Sequence, residues 1–410
     1  MKKLIKQAKI VYPTHPLNGK VMDLLIEDST LLTIDSTIDA KADEVIDHAG
    51  LICMPGLMDM QVSCGEPGEE HKEDFQSLTN AAKHGGFSIV TMLPNTQPAI
   101  DNTSMIKNIQ SSAANNGVRI LPYGALSKGC NGDELSEMFD MYKTGVHAFT
   151  DGKSSIQDVN LLKRALEYVR GFDATIVTYP CDSRINPGGM VNESKNNTAL
   201  GIKQLPALSE ELMLNRDLYL LEYTQSRMHV STISTTGSIQ LIKEAKEKGL
   251  RVTAGVALAN LIYTEDQLTT FDTNYKTHPP LRNEATRLAL IDAVKEGVID
   301  VIVSDHQPQN IELKACEFDF AAYGMTMLET ALPLANKNLQ TLQWEAFVNA
   351  TSIKPRQIMG LELPKLTEDS PFEGFVFSTE TEWEYTSKTC LSKSHNSPEF
   401  GKKLKGKVVA

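Results

Sequence analysis

Few residues in this chain are of the kind that drive chemistry, and they lie far apart in sequence. Asp305 and His306 stand side by side in VSDHQP. An aspartate beside an imidazole can act as a general base with a partner, provided a mobile water is there to be activated. The plainer reading is a local hydrogen-bonded pair. Asp151, in AFTDG, is the second carboxylate of interest. Two carboxylates could share a weakly held, water-rich magnesium, but a tight zinc site needs at least three protein ligands. Cys64 and Cys181 offer a thiolate alternative, a soft-metal or thiol site completed by Asp305. Against it stands the ordinary fate of such cysteines, which is inert burial. Asn95, in PNT, and His278, in THPPLR, can hydrogen-bond a polar ligand or serve as plain loop residues. His71 and His84 read as solvent-facing or capping residues, and His229 as a packed strand residue.

Such residues matter only if a fold brings them together. The 410 residues predict one large domain and a smaller one. The first 52 residues alternate short β-like runs with turns, which predicts a small antiparallel unit. From Gly56 onward, strand-length apolar runs alternate with helical stretches. The runs are LMDMQVSC, FSIVTML, VRILPYGAL, GVHAFT, ATIVTYP, RMHVSTIS, LRVTAGVAL and IDVIVSD. Helices are predicted between them near 72–84, 103–115, 133–143, 156–170, 207–225, 237–249 and 284–297. Eight strand–helix repeats imply an α/β fold, a (β/α)8 barrel over 56–364. The tail turns β again in GFVFST and KLKGKVVA. Residues 1–55 with 365–410 are therefore expected to form one small β-sandwich domain.

Barrel chemistry sits at the C-terminal ends of the strands. Those ends carry Gln61 and Ser63, Asn95, Asp151, Tyr179, Thr232, Ala257 to Asn260, and Asp305 with His306. The Gly- and Asn-rich stretch 186–198 predicts a mobile loop over the mouth. The net charge of −12 argues against nucleic acid as a partner. Six cysteines without a CxxC pair read as reduced thiols. No run of 18 apolar residues and no signal-peptide pattern is seen, so a cytoplasmic protein without a membrane span is expected.

In this order and spacing, EPGEEHKEDF at 66–75, GGFSIVTMLPNTQP at 85–98, LGIKQLPA at 200–207, KTHPPLR at 276–282, VSDHQP at 303–308 and YGMTMLETALPL at 323–334 make the chain resemble the amidohydrolase superfamily. Within it, the resemblance is to dihydroorotases of the longer, class I type. It implies a two-metal hydrolase centre built from histidines and carboxylates. Carried over by position, the paired histidines after strand 1 fall on Gln61 and Ser63. The histidines after strands 5 and 6 fall on Tyr179 and Thr232. The arginine that would hold a substrate carboxylate falls on Gly65, and the paired histidines after strand 7 fall in Ala257 to Asn260. Asp151 and Asp305 keep the acidic metal positions. The second acidic residue after strand 4 is Gly152, and which of those two positions is the ligand stays open. Asn95 and His306 keep substrate-side positions, and His278 replaces a substrate-side asparagine.

The resemblance therefore extends to inactive dihydroorotase-like relatives. It implies no cofactor, a homo-oligomer, and a scaffold or regulatory partnership with aspartate transcarbamoylase in pyrimidine synthesis. The alternative is an active cyclic-amide hydrolase, acting on dihydroorotate, hydantoins or allantoin, with zinc in a divergent site. A third possibility is a small-molecule binding module using Asn95, His278 and His306.

Overall fold

A computed structural model of the chain describes residues 1–113 and 117–410. Eight parallel strands run around a barrel. Strands 1 and 2 are Leu57–Val62 and Phe87–Met92. Strand 3 comes in two pieces, Arg119–Pro122 and Gly124–Ala125. Strands 4 to 8 are Ala148–Thr150, Thr175–Thr178, Met228–Val230, Val252–Ala257 and Val301–Val303. Successive strands pair in parallel. The ring closes where Val62 bridges His306. Met58, Ile89, Tyr123, Val177 and Val301 fill its interior, so the barrel is a packed core.

The intervening helices begin where a short polar side chain can cap them. Asp74 caps Phe75–His84 in a reciprocal box with Ser77. Asn102, Asp158, Thr235 and Asn283 cap the helices Thr103–Ser112, Val159–Arg170, Thr236–Glu247 and Glu284–Lys295. The helix expected over 103–115 thus ends at Ser112, and residues 114 and 115 lie outside the described residues. The helix expected over 133–143 is shortened to Met138–Lys143. Its first residues are drawn into extended structure, because Leu135 bridges Ser127 and the Ser136 hydroxyl donates to the Ala125 carbonyl at 2.6 Å.

Both ends of the chain enter one eight-stranded sheet, in which Leu51–Pro55 pairs antiparallel with Gly374–Glu384. This β domain sits beside the barrel. Between its last two strands a strap crosses to the barrel and is fastened by two buried carboxylates. Glu329 accepts from the amides of Leu391 and Ser392, and Glu73 accepts from the Ser392 hydroxyl and the Lys393 amide.

The stretch 186–198 departs from its expected mobility. Val191–Asn192 pairs with Gln204–Leu205, and Lys195–Leu200 is helical. Asn192 accepts from Arg282 at 2.7 Å and donates to Glu265 at 2.6 Å. Buried amide and guanidinium groups need partners, and here they find one another across the loop. Among the described residues, no helix is long and apolar enough to cross a membrane.

Candidate functional site

The mouth is organised from strands 1 and 8. Asp59, fully buried, accepts from the amides of Gln61 and Ser304, each at 2.8 Å. Burial raises its carboxyl to about 6. This clamp aims Gln61 at Asp305, and Gln61 Nε2 donates to Asp305 Oδ1 at 2.7 Å. Asp305 adopts φ +53°, so strand 8 breaks there and the carboxylate turns into the mouth. Its other oxygen, Oδ2, receives Lys153 Nζ at 2.7 Å. The same ammonium donates to the His278 carbonyl and lies 5.1 Å from the Tyr179 ring. Lys153 stands two residues beyond Asp151, in the turn after strand 4. Sequence reasoning passed over it. The available signal was a retained aspartate among lost imidazoles, which calls for a nearby cation.

Asp151 does not join Asp305. Its Oδ1 accepts from the Ser127 amide at 2.8 Å and its Oδ2 from the Ser127 hydroxyl, and it is 2% exposed. Burial pushes its pKa up, while the Ser127 bonds pull it back. Asn95 Nδ2 donates to the Asp151 carbonyl at 3.0 Å. Its Oδ1 would lie 1.7 Å from a Cβ built on Gly152, so an acidic residue there would displace it.

On the far side, Tyr179 shares a hydrogen bond with His278 Nδ1. The His278 ring lies between Tyr179 and Tyr323, at 5.4 and 5.3 Å, with Cys181 Sγ 3.9 Å from Nε2. Burial, then the charges of Lys153 and Arg282, lower its pKa to about 3, so the ring is neutral. Thr232 is 1% exposed. The hydroxyls of Thr178, Ser231 and Thr232 make no hydrogen bond among the described residues. Asn260 donates to the Pro280 carbonyl at 2.9 Å. His229 is buried below, against Thr253 Oγ1 at 2.9 Å.

His306 was expected beside a ligand, but its ring points away from the mouth. Nδ1 accepts from the Met327 amide at 3.2 Å, and Nε2 lies 3.4 Å from Glu73 Oε2 under the strap. Its backbone bridges both Val62 and Met325, which fixes that direction. Nor do Asp305 and His306 act as a base pair, since they serve different partners. Arg282 is 4% exposed. It donates to Ser234 Oγ and Asn192, and lies 3.6 Å from Glu210, so it fastens loops and is not offered to a ligand. His71 is exposed, and His84 packs edge-on against Trp383 at 5.1 Å.

This geometry can be set against known proteins. The family described as dihydro-orotase-like matches residues 50–238. A dihydroorotase of Ruminiclostridium cellulolyticum is 37% identical over 410 residues, covering 99% of this chain and 96% of that one. A dihydroorotase of Geotalea daltonii is 35% identical over 406 residues, covering 98% and 95%. The chain belongs to the dihydroorotase family. Among solved structures, the L-hydantoinase (dihydropyrimidinase) of Arthrobacter aurescens superposes with a TM-score of 0.83 at 21% identity, covering 99% and 93%, and shares the barrel fold.

A dihydroorotase-family barrel implies a metal centre, and the donors present here do not fit one. Gln61, Ser63, Tyr179 and Thr232 offer neutral oxygens or an amide where imidazoles would bind. Asp151 is committed to Ser127, and Asp305 holds an ammonium. Among the described residues, no three His, Cys, Asp or Glu side chains gather to hold an ion. The proposed cysteine site also fails on chemistry. Cys64 lies on the Glu73 carbonyl, and burial raises both its thiol and that of Cys181. Two carboxylates sharing magnesium fail because Asp151 faces away. The position of the substrate-holding arginine is closed as well. A Cβ on Gly65 would lie 2.0 Å from the Glu69 carbonyl oxygen, so the loop has been rewound around a glycine.

Proposed function

We propose that this dihydroorotase-family chain is a non-catalytic member of the family that serves pyrimidine synthesis as a scaffold or regulatory partner of aspartate transcarbamoylase. One observation carries the reading: the Lys153 ammonium sits on Asp305, with Gln61 on the other carboxylate oxygen. Opening a cyclic amide at neutral pH needs an activated water. A metal ion supplies it by lowering the water's pKa from its bulk value toward neutrality. With one oxygen accepting from an ammonium and the other from an amide, the Asp305 carboxylate is engaged on both sides and is poorly placed to take a metal ion. Tyr179 and Gln61, 5% and 3% exposed, fill space that a substrate would need.

The partnership rests on the family resemblance and on the survival of the whole framework around a changed centre. A competing reading, an active cyclic-amide hydrolase, draws support from the 37% identity to a relative named dihydroorotase. The two readings separate by metal content and dihydroorotate turnover of the purified chain. Stoichiometric zinc with turnover would sink the non-catalytic reading. A variant with histidine at 61, 63, 179 and 232 is expected to stay metal-poor. Adding Lys153→Ala to it should raise zinc affinity by about 100-fold or more, because the competing cation is gone. If aspartate transcarbamoylase from a native extract passes the immobilised chain unretained, the partnership fails.

A further inference from the structure

The face of the barrel opposite the mouth, where the strands begin, holds a cavity of about 280 Å³. Its walls come from the starts of strands 5 to 8 and from the helix Lys354–Ile358. Residues at this face of a barrel ordinarily serve stability. Here two of them carry polar atoms that the fold does not use. Thr175 is 1% exposed, and its hydroxyl makes no hydrogen bond among the described residues. Arg227 Nε is likewise buried and without a partner among them. Buried polar atoms are nearly always paired. Two unpaired ones on the wall of a single cavity mark a place where a bound group supplies the partner.

The surrounding charge tells which group. Arg251 donates to Asp173 Oδ1 at 2.7 Å, and Arg227 lies 3.7 Å from Oδ2 of the same carboxylate. Asp300, the acid on the wall, is already held by Lys246 at 2.7 Å and by the Ala254 amide at 2.9 Å. Lys354, half-buried, enters no ion pair among the described residues. Of these groups four are cations and two are carboxylates, in a chain whose net charge is −12. The local excess matches a phosphomonoester, which carries about −1.5 to −2 at neutral pH. Guanidinium forks and an ammonium suit its oxygens. Leu250, Val252 and Ile358 line the same cavity and offer an apolar wall to an organic body. We infer that this cavity binds a small organic phosphate through Arg227, Arg251, Lys354 and Thr175. It would do so whether or not the mouth is catalytic.

Isothermal titration of the full chain with phenyl phosphate tests this. Saturable binding is expected, with a dissociation constant on the order of 1 mM or tighter. Inorganic phosphate should bind more weakly, for want of the apolar contact. Benzoate should also bind more weakly, for want of the second charge. Lys354→Met should weaken phenyl phosphate binding by about 10-fold. Thr175→Val keeps the side-chain volume and should weaken it by about 3-fold or more. Neither substitution removes a hydrogen bond or ion pair of the fold, and thermal melting checks that each variant stays folded. No saturable binding up to about 10 mM, benzoate held as tightly as phenyl phosphate, or binding indifferent to either substitution would overturn the inference.

Discussion

The two sides of the barrel mouth have lost the same kind of residue and have settled differently. At strands 1 and 8 an aspartate remained, and the structure gathers charge around it: Lys153 on one oxygen and Gln61 on the other. At strands 5 and 6 the corresponding positions hold no acid. There Tyr179 packs against His278, from the segment between strands 7 and 8, and the hydroxyls of Thr178, Ser231 and Thr232 are buried without hydrogen-bonding partners among the described residues. The difference follows from what burial costs. An unpaired carboxylate in a half-buried mouth is expensive enough to demand a cation, whereas an unpaired hydroxyl costs only about 1–3 kcal/mol and can be tolerated. Where the acid stayed, a cation had to be found; where only imidazoles were lost, neutral filling was enough.

The charged side depends most on Lys153. Its side chain and that of Asp305 are 19% and 12% exposed, so the pair is screened little. Lys153→Met should cost about 3 kcal/mol in urea unfolding at neutral pH, and adding Asp305→Asn should recover most of it. A loss under about 0.5 kcal/mol would mean that Asp305 does not depend on that cation.

The neutral side is tested by acid. His278 is held near 3 in the fold, against an ordinary value of 6.5. Above pH 6.5 both states are neutral and it contributes nothing. Between 6.5 and 3 only the unfolded chain takes the proton, so stability falls with pH, by up to about 1.4 kcal/mol per pH unit. His278→Gln should make the decline from pH 6.5 to 4.5 shallower by about 2 kcal/mol. Asp59 and Asp217, raised to about 6 by burial, act in the opposite sense and are common to both proteins. Equal slopes would place the histidine in contact with water.

The smallest effect should have the opposite sign to the first. Thr232→Val removes a buried hydroxyl without a partner among the described residues. It should stabilise by about 0.5–1 kcal/mol and raise the melting temperature by about 1–3 °C. A clear loss would reveal a bond to that hydroxyl.

The eight strands and most helices were legible because strand and helix periods are local properties of a chain. The changed positions were legible too, since Gln61, Ser63, Tyr179 and Thr232 close recognisable strands. Side-chain directions were not. Asp151 and His306 were read as facing the mouth, but Ser127 and the Glu73–Ser392 strap turn them aside. Those partners lie 24, 233 and 319 residues away in the respective pairs. The loop at 186–198 looked mobile by composition and is held by Arg282 and Glu265, neither of which is a neighbour in sequence.

By itself, then, the sequence determined the barrel, the family, and the absence of imidazoles from four strand-end positions, because those follow from residue type and local periodicity. Only the tertiary structure decided what replaced them. Lys153 reaches Asp305 across 152 residues of chain. A carboxylate's partner is chosen by distance and dielectric in the folded state, and neither can be read along the chain.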